Sequence, residues 1–162
     1  MTAADRYRRW LEYERDAHSK TLASLEGVPQ AQRGANGYAK ALTLAAHIVA
    51  ARRLWLFRLG ALAEPPREFF PEKVSLAELR RSFEEMHALW SEYLARLEDR
   101  ELARVFEYAS LEGPRFRNTV EDILTQLFGH SWYHRGQIAQ LVRTLDAKPA
   151  ETDFVFWTRE PL

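Results

Sequence analysis

The sequence predicts an all-α protein: a four-helix bundle with a short β-hairpin between helices three and four. Three observations lead there. Four long stretches repeat apolar residues at the three- and four-residue spacing of an amphipathic helix. Glycine and proline cluster between those stretches, at Gly27-Val28-Pro29, Gly34 to Gly37, Pro65-Pro66, Pro71, Gly113-Pro114 and Pro149. The region around Glu112-Gly113-Pro114 carries alternating and β-prone residues instead.

Helix one is expected from about Ala3 to Leu25, with Tyr7, Leu11, His18, Leu22 and Leu25 on one stripe. Helix two is expected from about Tyr38 to Leu62, where Lys40, Leu44, His47, Ala51, Leu54 and Arg58 share a line. Ser75-Leu-Ala-Glu78 reads as a capping box that opens helix three, because each end satisfies an orphan amide of the other. Leu79, Phe83, Trp90, Leu94 and Leu97 follow on its apolar side. The hairpin strands are expected at Arg104 to Tyr108 and Arg115 to Arg117. Helix four starts near Asn118 or Thr119 and ends before Pro149, with Ile123, Leu127, His130, His134, Ile138, Leu141 and Leu145 on its stripe. At about 1.5 Å rise per residue, each helix is roughly 30–40 Å long. The link between helices one and two is long enough to cross the bundle end, so simple up-down order does not follow. The tail, Asp153-Phe-Val-Phe-Trp157, is too aromatic to float freely and is expected to pack over the bundle as an extended segment.

The chain has 162 residues, which fits one domain over its whole length. Apolar residues make up 46% and aromatics 12%, enough for a sizeable core, which excludes intrinsic disorder. The 23 basic and 23 acidic side chains cancel, so no general basic field attracts nucleic acid or anionic lipid. No stretch is long and apolar enough to span a bilayer, and the charged start lacks the apolar core of a signal peptide. The expectation is a soluble, cytoplasmic protein with no nucleic-acid or membrane partner. Cysteine is absent, which removes disulfides, thiolate metal sites and a cysteine nucleophile.

Histidine carries the chemistry that remains. His130 and His134 stand four apart on helix four, so about 40° separates their directions around the helix and both can ligate one ion. Leu127, Ile138, Leu141 and Leu145 flank them on the same face, which must point inward. A buried, unpaired imidazole pair is costly, and a metal ion is a shared partner. His47 lies among small apolar residues on helix two, with room beside its ring. Together the three form a set on two helices, and three neutral ligands leave a coordination position open, as in catalytic sites. The alternative, that each is a core histidine held by a hydrogen bond, stays open at this stage.

His18 and Gln137 are candidates to orient a ligand or face a substrate. His18 could instead pair with Glu14, one turn earlier, and Gln137 could hold an internal hydrogen bond. His87, at the edge of helix three's stripe, reads as structural. Gly129 and Gly136 lie seven apart inside helix four, where glycine costs about 1 kcal/mol relative to alanine. Their spacing predicts the close approach of another helix, in the bundle or in a second subunit.

His130-Ser-Trp-Tyr-His134-Arg-Gly-Gln-Ile138 resembles the fourth-helix signature of the DinB-like (DinB/YfiT) superfamily. Leu44-Ala-Ala-His47-Ile48, followed by Leu54-Trp55-Leu56, is similar to its second-helix histidine segment, and Tyr13 to Leu22 to its first-helix motif, with His18 where asparagine or histidine is usual. The likeness covers nearly the whole chain. It implies a four-helix bundle that holds a divalent metal through three histidines, which map onto His47, His130 and His134. It also implies homodimers, and activities of the thiol-dependent transferase or isomerase kind that take a low-molecular-weight thiol as cosubstrate.

The expected function is therefore that of a metal-dependent enzyme acting on a small-molecule substrate, with a thiol bound at the open position as nucleophile. A cysteine-free chain suits this, because the nucleophile arrives from outside. Metal-assisted hydrolysis is the second reading, ranked lower because no carboxylate on the fourth-helix stripe is placed as a base. A non-catalytic bundle that binds metal or a small ligand in stress response is the third. Imidazole suits zinc, nickel, copper and iron alike, and manganese is a further candidate, so the ion is not named by its ligands.

Overall fold

A computed structural model describes residues 1–161. Four long helices make the bundle: α1 (Ala3–Glu26), α2 (Asn36–Arg58), α3 (Leu76–Ala95) and, after a one-turn α4 (Asp99–Leu102) and the strands β1 (Val105–Ala109) and β2 (Arg115–Thr119), the long α5 (Val120–Thr144). The predicted helix four is thus α5. A last turn, α6 (Phe154–Thr158), follows near the C-terminus. Among the described residues no helix is long and apolar enough to cross a membrane.

Three of the long helices start at a capping box: Thr2 with Asp5, Ser75 with Glu78, and Thr119 with Asp122. Each places a carboxylate at the positive end of the helix dipole, where it also satisfies the cap amide. Helix α2 ends at Arg58, four residues before the Leu62 expected from its periodicity. Gly60 is the cause. It adopts φ +81, its N–H donates to the Phe57 carbonyl at 3.0 Å, and the next N–H, of Ala61, reaches the Leu56 carbonyl at 2.8 Å. That pair of bonds closes the last turn and turns the chain away.

Helix α2 packs against α5 and α3, and α1 packs against α3 and α5, so α1 and α2 face each other across the diagonal. The link from α1 to α2 therefore crosses the bundle end, as its length allowed. The core is continuous between the helices and includes Tyr7, Leu25, Ile48, Leu79, Trp90, Leu127 and Ile138. The hairpin forms with Val105 opposite Thr119 and Ala109 opposite Arg115, around a turn where Gly113 takes φ +105.

Two expectations need correction. The tail is not extended: Phe154 to Thr158 form a helical turn, which sets Phe154 and Trp157 against the Tyr13 ring at 5.0 and 5.9 Å and leaves Val155 and Phe156 exposed. A single turn lets residues three apart share one contact face, which an extended strand cannot do. Gly129 and Gly136 do not admit a neighbouring helix of this bundle. Both are exposed, and a Cβ built on either meets nothing within 4 Å.

Candidate metal centre

His47 projects from α2 and His130 and His134 from α5, the two helices most closely packed in the bundle. One ring nitrogen of each lies within 4.8 Å of the others. The Nε2 atoms converge: His130 Nε2 is 3.1 Å from His47 Nε2 and 3.0 Å from His134 Nε2. Nitrogens bound at about 2.0–2.1 Å around one tetrahedral ion stand about 3.3–3.4 Å apart, so the cluster is near that geometry.

Hydrogen bonds behind the rings fix which nitrogen faces inward. His47 Nδ1 lies 2.8 Å from the Phe69 carbonyl, which can only accept. His134 Nδ1 lies 2.8 Å from Gln137 Oε1, also an acceptor. Both Nδ1 atoms therefore carry the proton, and both Nε2 atoms present lone pairs to the cluster. His130 can place at most one N–H between them, which satisfies one lone pair and leaves the other unmet. A cation is a partner for all three, so the donor set fits a metal ion.

The environment favours neutral imidazole, the form that can bind metal. Burial pushes the His130 pKa down to about 4, helped by His134, His47 and the Arg52 guanidinium. Burial also lowers His47, against the opposing effect of the Phe69 carbonyl. The loop between α2 and α3 closes one side of the cluster. The Phe70 ring stacks on His47 at 4.0 Å and 6°, and Phe69 meets it edge-on at 4.5 Å. On another side His130 borders a cavity of about 420 Å³ between α2, α5 and the hairpin.

The other sequence candidates settle as follows. Gln137 touches the cluster directly, through His134. His18 is not paired with Glu14: its Nδ1 is 3.0 Å from Nε2 of His87, on α3, and the two buried rings stack at 5.2 Å. Burial lowers both pKa values, His87 to about 3, so this pair is neutral. His87, read as structural from its position, is buried and lies within hydrogen-bond distance of His18.

One buried network was not anticipated. Glu14 on α1 is fully buried between Arg52 of α2 and Arg135 of α5, with Arg135 Nη1 donating to its Oε1 at 3.0 Å. Arg135 also donates to the Tyr13 hydroxyl at 2.6 Å. Burial raises the Glu14 pKa, and the two guanidinium groups oppose that rise. The sequence did carry a signal: Glu14 falls between Leu11 and His18 on the apolar stripe of its helix, where a charge demands an internal partner.

The fold is similar to the crystal structure of a DinB-like protein from Bacillus cereus ATCC 10987, with a TM-score of 0.68 and 22% sequence identity, over 90% of this chain and 94% of that one. No curated protein matches the sequence. A sequence model of the DinB superfamily matches residues 12–138, which include all three clustered histidines as well as Glu14, Arg52 and Arg135. The chain belongs to the DinB superfamily.

Proposed function

We propose that the protein is a metal-dependent enzyme of the thiol-transferase kind, with His47, His130 and His134 as ligands of a divalent zinc, nickel, manganese or iron ion. The observation that carries the reading is the convergence of three Nε2 atoms, two of them fixed as lone-pair donors, beside a cavity. A divalent ion held there supplies Lewis acidity, which lowers the pKa of a cosubstrate thiol at neutral pH.

The chain's own residues do the positioning. Gln137 and the Phe69 carbonyl hold two imidazoles by their Nδ1 protons, so the rings cannot turn away. Phe69 and Phe70 keep water off the His47 side. The apolar wall of Leu54, Phe116 and Leu127 accommodates the body of a small electrophile. Hydrolysis is less favoured, because the cluster contains no Asp or Glu among the described residues to act as general base.

The test is thiol consumption in the presence of a chloroarene electrophile, with the metal-loaded protein, the chelated protein and a His130→Ala/His134→Ala variant. Turnover that needs both metal and histidines supports the proposal. Tight metal binding with no turnover of any thiol or ester supports the non-catalytic binding reading instead.

A further inference from the structure

The cavity beside His130 carries a positive charge that the proposed chemistry does not use. Arg58 stands in the last turn of α2, partly buried, with its guanidinium against the rings of Trp55 and Tyr108, 4.6 and 4.8 Å from their centroids. One of its nitrogens donates to the Ala109 carbonyl at 2.8 Å, which ties the group to the hairpin. The fork is therefore held in place before any ligand arrives, and its remaining N–H groups are free for a planar acceptor.

We propose that this cavity binds an elongated, amphipathic carboxylate. Its carboxylate lies on Arg58, and its apolar body runs along Leu54, Phe116 and Leu127 toward His130. Arg58 is seven residues past Ala51 and eleven past His47 on α2, so the ligand spans about 10–16 Å. Reading its far end as the reacting end rests on the metal function proposed above; the carboxylate site does not.

The charge count selects a monoanion. Arg58 is the only Lys or Arg on the cavity wall, and the Glu112 carboxylate borders the same space. One guanidinium matches a single negative charge. A phosphate dianion would leave its second charge uncompensated beside Glu112.

The test is calorimetric titration of the metal-free, full-length protein with 6-phenylhexanoate, its primary amide and 6-phenylhexyl phosphate. Metal-free protein keeps the carboxylate from binding at the histidines. The acid is expected to bind at least about tenfold more tightly than the amide, the worth of one charge-assisted hydrogen bond, and more tightly than the phosphate. Arg58→Gln should erase the acid-over-amide preference. Equal binding of acid and amide, no binding of either, or tighter binding of the phosphate overturns the proposal; so does an Arg58→Gln protein that keeps the preference. The wild-type comparison decides even where the variant fails to fold. A wild-type protein that binds no metal but keeps the preference sinks only the metal reading, and one that binds metal without the preference sinks only this one.

Discussion

Gln137 accepts a hydrogen bond from His134 Nδ1 at 2.8 Å, across a single turn of α5, and that bond aims His134 Nε2 at the other two imidazoles. The prediction is that Gln137→Leu lowers metal affinity by about 10–100-fold, the usual effect of losing such a partner, while Gln137→Glu preserves it. Competition against a chelating dye reads the affinity. Equal affinities for wild type and Gln137→Leu would show that the amide does not orient the ligand.

Glu14 has two buried guanidinium partners, so its removal strands both. Glu14→Ala is expected to cost about 3–5 kcal/mol in unfolding free energy, as when a buried ion pair loses one member. Glu14→Gln, which keeps a hydrogen-bond acceptor, should cost less. Urea denaturation measures both. A loss below about 1 kcal/mol for Glu14→Ala, the range of surface pairs, would mean that the network is solvated.

Stability should also fall with acidification through the His18–His87 pair. Both groups have folded pKa values below the ordinary value of 6.5, His87 at about 3. The unfolded chain therefore takes up protons between pH 6.5 and about 3 while the folded pair stays neutral. The stability is fully present above pH 6.5 and is lost as pH falls, by up to about 1.4 kcal/mol per pH unit per group. His130 adds a loss of the same sign in metal-free protein. The informative quantity is thus the difference between wild type and a His18→Leu/His87→Leu variant from pH 7 to 5. The variant's curve should be flatter, and parallel curves would contradict the assignment.

The long helices were legible because their apolar periodicity agrees with their caps, and the histidine cluster because His130 and His134 share a turn on an apolar face. What crosses between helices was not. Arg52 follows a run of apolar residues in α2, yet it is buried against Glu14, and the rings of Trp90 and Phe128 lie 5.8 and 5.2 Å from its guanidinium. The His18–His87 bond joins α1 to α3, which no single-helix pattern reveals. The early end of α2 lies in Gly60, a residue inside the apolar pattern that runs on to Leu62.

Gly129 and Gly136 stand mid-helix with open space where a side chain would lie. In an isolated chain, Gly129→Ala and Gly136→Ala should each stabilise by about 0.5–1 kcal/mol, through helix propensity alone. If two copies pack there, as the family resemblance implies, the same changes should instead lower stability and shift the mass in solution toward monomer. Thermal melts with light scattering separate the two results.

The central claim is that His47, His130 and His134 hold a metal ion. The most direct measurement is elemental analysis of protein expressed in metal-replete medium, beside the His130→Ala/His134→Ala variant. About one equivalent of a divalent metal in the wild type and none in the variant is the result the geometry predicts. A metal-free wild type with no affinity for added zinc, nickel, manganese or iron, or equal metal content in both proteins, would contradict it.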